Sequence, residues 1–208
     1  MDIKSVIIIL TLIILSTGCA FGGSGGNFSG GGSPAPPNVT RVPRSGPTPS
    51  PSPSPERKEN EVLGSYSTKL LDKKKARLNN IDLAIAKVND KVIQPGEVFS
   101  FNDTVGPREQ ARGFQKALIL VRKERQLGYG GGVCQVSTTI YNAAKEAGLE
   151  IAERHQHDAE IGYVKLGDDA AVSYGTLDLK VKNTKEMPVR FRLSVGADTV
   201  DAVVVTEY

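Results

Sequence analysis

Three residue types in the second half of the chain can do nucleophilic chemistry together. Cys134 stands in the stretch GGGVCQVSTTIYNAA, residues 130–144, and the chain's two histidines, His155 and His157, follow it. A thiol attacks as its thiolate, and an imidazole within reach acts as base toward it. Asp158, Asp169 and Asp178 are carboxylates that could orient such an imidazole. The catalytic set read here is Cys134, His155, His157 and Asp169. Around it, Gly131 and Gly132 permit close approach of a substrate or of another backbone. Gln135, Ser137 or backbone N–H groups near Cys134 are candidates to stabilise an oxyanion. Thr138 lies on the Cys134 side of a helix by i+4 spacing. Arg154 offers a guanidinium to a substrate carboxylate, with a surface pair to Glu153 or Asp158 as its competing use.

Blander readings stand beside this one. Free cysteine often packs as a small hydrophobe, and a His-x-His pair can be structural. Cys134, His155, His157 and an aspartate would also make a zinc set. The preferred reading calls for no metal and no cofactor. No Gly-Lys-Ser/Thr follows the glycines, so a nucleotide phosphate loop is not supported.

The elements that must position these groups are legible in outline. A helix is expected from Cys134 to about Ala147, with Gly148 as its left-handed cap. Its start, with unpaired N–H groups and the helix dipole, favours an anion. At 1.5 Å per residue this helix is ~21 Å long. Leu149 to His155 as a strand spans ~23 Å, which returns His155 to the level of Cys134. His155 and His157 are then expected on one face of that strand.

Upstream, ARLNNIDLAIAKVN places Leu78, Ile81, Ile85 and Val88 on one helical face. Pro95-Gly96 suits a tight turn. Val98 to Phe101, Lys116 to Val121 and LEIAER read as strands. AVSYGTLDLKVKN, PVRFRLSV and VDAVVVTEY give a β-rich end, with a turn over Gly196 to Thr199. The fold class expected is α+β: a single compact domain with a helix carrying an N-terminal Cys, a mixed or antiparallel sheet and a β-rich C-terminal half.

Over 208 residues the formal net charge is only +3, with 39% hydrophobic residues. That balance argues against a nucleic-acid partner, which needs a dense basic stripe. Lys4 precedes an apolar run, Val6 to Leu15, too short to span a bilayer of ~30 Å but suited to a signal-peptide core. Ser16, Thr17 and Gly18 then lead to Cys19, the expected lipidation site, although Leu15 lies one position further from it than in the usual lipoprotein motif. If Cys19 is acylated, Cys134 has no partner thiol in the chain. Residues 20–58 are Gly/Ser-rich and then Pro-rich, a composition that cannot bury a core and suits a tether. The organisation read is 1–19 signal peptide, 20–58 linker and 60–208 domain.

PGEVFSFNDTVGPR, GGGVCQVSTTIYNAA, GLEIAERHQH, YVKLGDDAAV and LDLKVKN occur in one order that resembles the VanW-like family. The resemblance covers roughly Ser65 to Arg192. It implies a bacterial envelope protein and leaves the reaction open. Two positions depart from the common pattern: Asp158 replaces a frequent serine, and Asp168 replaces an arginine that often precedes the residue matching Asp169.

The function expected is a membrane-anchored, extracytoplasmic lipoprotein, with a Cys/His-dependent hydrolase or acyltransferase acting on peptide or amide bonds of peptidoglycan. The alternative is a non-catalytic accessory module that binds cell wall or a partner protein, linked to envelope stress or glycopeptide resistance. Expected partners are cell-wall peptidoglycan or an envelope protein, and the membrane through lipid on Cys19.

Overall fold

The computed structural model describes residues 60–89 and 91–208. The expected signal sequence with Cys19 and the linker over 20–58 lie outside the described residues. The domain is α+β. Strand β1 (Val62–Lys69) leads to helix α1 (Lys75–Asn89), the short strands β2 (Val92–Ile93) and β3 (Val98–Ser100), and helix α2 (Phe101–Val105). A single 3-10 turn precedes the hairpin β4 (Lys116–Val121) and β5 (Glu124–Tyr129), and α3 (Val133–Glu146) follows. The chain closes with β6 (Glu150–Glu153), β7 (Lys180–Lys182), β8 (Val189–Val195) and β9 (Thr199–Thr206).

Among the described residues three sheets form, with antiparallel pairing throughout: β1-β9-β8-β2, β3-β7-β6 and the β4-β5 hairpin. The first is a half-buried surface. Val189, Phe191 and Leu193 of β8, with Val200, Ala202 and Val204 of β9, alternate inward as the period of two requires. Ile81, Ala84, Ile85 and Val88 of α1 and Val136 and Ile140 of α3 complete the core. Burying each large side chain of this set contributes roughly 1.5–3 kcal/mol.

Helix α3 ends in a Schellman motif. Leu149 N–H donates to the Ala144 carbonyl at 3.0 Å, and Gly148 N–H to Lys145 at 3.0 Å. Gly148 takes φ +68°, the left-handed geometry this motif needs. Gln94-Pro95-Gly96-Glu97 makes the expected turn, closed by Glu97 N–H to the Gln94 carbonyl at 2.9 Å.

Between β4 and β5, Arg122 and Lys123 form the hairpin turn with φ +49° and +68°. Two local expectations are corrected. The strand at Val98 stops at Ser100, because the Ser100 hydroxyl caps α2 by accepting from Asp103 N–H at 3.1 Å. In the AVSYGTLDLKVKN stretch only β7 and an isolated Ser173–Leu177 bridge form. Among the described residues no helix is long and apolar enough to cross a membrane.

Candidate functional site

The site begins with the glycine run before α3. A Cβ at Gly131 would lie 2.6 Å from the Leu118 carbonyl oxygen, and one at Gly132 would lie 2.9 Å from Ile81 Cγ1. The glycines therefore let this loop press against β4 and α1, so protein rather than ligand makes the close approach. Buried Asn80 of α1 locks the arrangement. Its amide donates to the carbonyls of Gln115 at 2.9 Å and Gly131 at 3.0 Å, and its oxygen accepts from Gln115 N–H at 2.8 Å.

Cys134 consequently sits in the first turn of α3, partly exposed at the wall of a cleft of about 590 Å³. His157, Tyr163, Arg77, Arg108 and the β4 residues Leu118 to Val121 line the same cleft. The His157 ring shares the cleft with the Cys134 sulfur, near enough that each group shifts the titration of the other. On its other side, Nδ1 lies 2.6 Å from Asp169 Oδ2. With Nδ1 engaged there, Nε2 is the nitrogen left for the thiol. The three side chains form a line, Cys134–His157–Asp169.

Electrostatics follow from that line. Burial pushes the Cys134 thiol up, but the His157 imidazole, the Val172 backbone and the Arg108 charge outweigh it, so its pKa is lowered. Burial pulls His157 down, yet Cys134 and Asp169 more than offset this and its pKa is raised. The two directions both shift the balance toward thiolate and imidazolium. Asp169, 2% exposed, is pushed up by burial and held below the usual carboxylate range by the hydrogen bonds from His157. Burial pushes the Tyr163 phenol upward, so it stays protonated beside the thiol.

Behind Asp169 stands Arg154. Its Nη2 reaches Asp169 Oδ1 at 3.0 Å and the Gly167 carbonyl at 2.8 Å, while Nε donates to the Asp169 carbonyl at 2.6 Å. The guanidinium stacks over Tyr141, 5.3 Å from the ring centre. The structure thus places Arg154 as a positioning residue for Asp169, not at the cleft. Ser137 and Thr138 grip the same segment. The Ser137 hydroxyl donates to the Ala170 carbonyl at 2.7 Å, and Thr138 Oγ1 accepts from Ala170 N–H at 3.0 Å. Asn142 donates to the Asp168 carbonyl at 2.7 Å. One face of α3 therefore holds the backbone that carries Asp169, and the substrate-binding reading of Ser137 and Thr138 gives way to this one.

Of the other expected members, Gln135 lines the cleft with its amide already engaged, and His155, Asp158 and Asp178 lie outside the lining. β6 ends at Glu153 with a register irregularity after Ile151, so strand alternation does not extend to the histidines. His155 turns to Glu153 at 2.9 Å and does not line the cleft. Gln135 is committed: its amide nitrogen donates to Thr68 Oγ1 at 3.1 Å and the Lys69 carbonyl at 2.9 Å, and its oxygen accepts from Arg77 at 2.8 Å. Asp178 accepts from Ser100 Oγ and from Asn102 and Leu179 N–H, each within 2.8 Å. Asp158 is exposed. Among the described residues no group of three or more His, Cys, Asp or Glu side chains could hold a metal ion, and the outward turn of His155 breaks up the zinc set.

Arg77, Arg108 and Tyr163 went unnoticed in the sequence. Arg108 closes the PGEVFSFNDTVGPR motif and Tyr163 opens YVKLGDDAAV, and those positions were the available signals.

Comparison with known proteins bears on most of the domain. The chain is 41% identical over 132 residues to the uncharacterized protein YoaR of Bacillus subtilis (strain 168), covering 64% of this chain and 44% of that protein. It is 31% identical over 110 residues to the vancomycin B-type resistance protein VanW of Enterococcus faecalis (strain ATCC 700802 / V583), covering 50% of this chain and 40% of that protein. The match thus spans less than half the length of each of these relatives. No solved structure matches the chain. The model of the family described as VanW like protein matches residues 76–205, which include every member of the Cys134–His157–Asp169 line, and the chain belongs to that family.

Proposed function

We propose that this domain is a cysteine-nucleophile hydrolase or acyltransferase acting on peptide or amide bonds of the cell envelope. The observation that carries the reading is the line Cys134–His157–Asp169 at the wall of a cleft. Asp169 fixes the His157 ring and favours its charged form, and His157 in turn favours the Cys134 thiolate.

In the reaction, the thiolate attacks the carbonyl carbon of an amide and a C–S bond forms. The developing oxyanion lies by the first turn of α3, where the Cys134 N–H is a candidate donor. The C–N bond then breaks, and the leaving amine takes a proton from the His157 imidazolium. The thioester left on Cys134 is resolved by water or by an acceptor amine. His157 accepts the proton of that nucleophile, and the thiol side chain is restored. Water gives hydrolysis, and an amine gives acyl transfer.

We place the enzyme outside the cytoplasmic membrane, held by lipid on Cys19 through the linker over 20–58, with peptidoglycan as its substrate. Support for that setting comes from the sequence of the first 58 residues. The test of the chemistry is incubation of purified protein with peptidoglycan fragments, followed by mass spectrometry. Wild type is expected to form a thioester adduct on Cys134 and to release or exchange an amine. Cys134→Ser should abolish both while keeping the melting transition. Wall binding that persists in Cys134→Ser and His157→Ala, with no bond cleaved or exchanged by wild type, would instead mark a binding module.

A further inference from the structure

Arg108 lines the cleft outside the Cys–His–Asp line, as do the charged residues Asp72, Arg77, Glu109, Arg125 and Glu160. It follows α2, and its guanidinium lies 5.5 Å from the Phe101 ring centre and 6.0 Å from that of Tyr174. Nη1 donates to the Gly106 carbonyl at 2.9 Å. Nη2 is closed off from solvent and has no hydrogen-bond acceptor. Among the described residues Arg108 makes no ion pair. Asp178 is near enough to interact with its charge, but the oxygens of that carboxylate are taken up by Ser100, Asn102 and Leu179.

Burying a cation with an unmet donor is costly unless something compensates it. Two aromatic faces compensate in part. The chain also goes to some length to seat this side chain. A Cβ at Gly130 would lie 2.7 Å from Arg108 Cγ and 2.8 Å from its Cβ, so only the glycine leaves room for the arginine stem. Arg77, on the same cleft, has a buried Nε that is likewise unmet. A guanidinium presents a planar fork that matches a carboxylate, and the chain supplies no carboxylate to this one.

We infer that Arg108 is the anion-recognition residue of this cleft, and that the substrate is a peptide bearing a free carboxylate close to the carbonyl that Cys134 attacks. This rests on the acyl-transfer reading of Cys134. Tyr174, 52% exposed and also part of the lining, is the cover that a ligand carboxylate displaces to reach the guanidinium. Arg108 then has two roles in one place: its charge favours the thiolate before substrate enters and meets the substrate carboxylate afterwards. Arg154, which the sequence offered for the carboxylate, is already spent on Asp169.

The test compares iodoacetate with iodoacetamide as alkylating agents of Cys134 in the full chain. Each forms an S–C bond and expels iodide, and they differ in a carboxylate against a neutral amide. The ratio of iodoacetate to iodoacetamide rates should exceed that of a free cysteine peptide by about tenfold or more, as a charge-assisted contact allows. Arg108→Gln should bring the ratio down to the peptide value, and Arg108→Lys should retain part of it. In wild type alone, a dipeptide with a free C-terminal carboxylate should protect Cys134 from iodoacetamide, while the same dipeptide as its amide should not. That arm decides the matter even if the Arg108 variants do not fold. A peptide-like ratio, or equal protection by acid and amide, overturns the proposal. Failure of the underlying reading looks different: iodoacetamide itself would then react no faster than with the free peptide at neutral pH.

Discussion

His157 meets one oxygen of Asp169 twice. Its backbone N–H and its ring Nδ1 both lie 2.6 Å from Asp169 Oδ2. A single carboxylate oxygen thus sets both where the chain runs and which way the imidazole faces. The second oxygen, Oδ1, takes Arg154 at 3.0 Å. The orientation of the ring is therefore fixed by backbone and side chain together, rather than by a rotamer choice alone.

Asp169→Asn should damage both stability and reactivity. It removes the anion that favours imidazolium, and it leaves Arg154 without its carboxylate. The expected loss is about 3 kcal/mol, as for breaking a buried pair by one partner. Denaturant unfolding measures this. An unchanged midpoint would show that the Arg154–Asp169 pair carries no weight.

The pH dependence of Cys134 alkylation follows from the two shifts. Thiolate appears as pH rises through a pKa lowered from that of an ordinary thiol, about 8.5. The iodoacetamide rate should therefore reach its plateau below that value. His157→Ala should move the midpoint upward, since it removes the imidazole that favours the thiolate. Turnover that needs imidazolium as well should fall again as pH passes the raised His157 pKa, giving a bell. A midpoint that His157→Ala leaves in place would break the link between the two residues.

Gly131→Ala and Gly96→Ala separate two kinds of glycine. At 131 the added Cβ meets the backbone of Ala117 and Leu118, and overpacking of about 1–3 kcal/mol is expected. At 96 nothing lies within 4 Å, and only the left-handed φ of +77° resists, at about 1–2 kcal/mol. Both variants should unfold at lower denaturant. Only Gly131→Ala should also slow Cys134 alkylation, because it shifts the start of α3.

Glu153 supplies an acid-sensitive brace. Its hydrogen bonds to Lys180 and His155 lower its pKa from 4.5 to about 2, a shift that burial opposes only weakly. A depressed carboxylate contributes stability that is present above its unfolded pKa and lost as pH falls through the folded one. The loss should therefore fall between pH 4.5 and about 2. Glu153→Gln should flatten thermal stability against pH in that window, and an unchanged slope would count against the brace.

Local signals carried much of the fold. Ile81, Ile85 and Val88 announce α1 by spacing, the alternation in PVRFRLSV announces β8, and Gly148 announces the end of α3. α2 escaped notice because it spans five residues, too few for periodicity, and depends on one capping hydroxyl. β1 escaped because its mate, β9, lies at the other end of the chain. At the site, the residue types were legible but their pairing was not. The return from α3 toward Cys134 could be argued from length. The choice of His157 over His155 depends on where β6 stops, and Asp169 is aimed by hydroxyls of α3 that looked like ligand contacts. Arg108 was invisible as chemistry, because a lone arginine in a loop says nothing of the aromatic rings that hold it.

The pairing of β1 with β9 also sets how the domain carries load. Val62 lies opposite Val205, and Thr206 N–H donates to the Glu61 carbonyl at 2.9 Å. The two ends of the described chain therefore leave side by side from one corner of the sheet. Tension applied between them would part the ladder one rung at a time, beginning at Glu61 and Thr206, instead of shearing every rung at once. Along that axis the domain gives way early and by degrees, its β1 edge peeling first while the β4-β5 hairpin, a separate sheet, stays off the line of force.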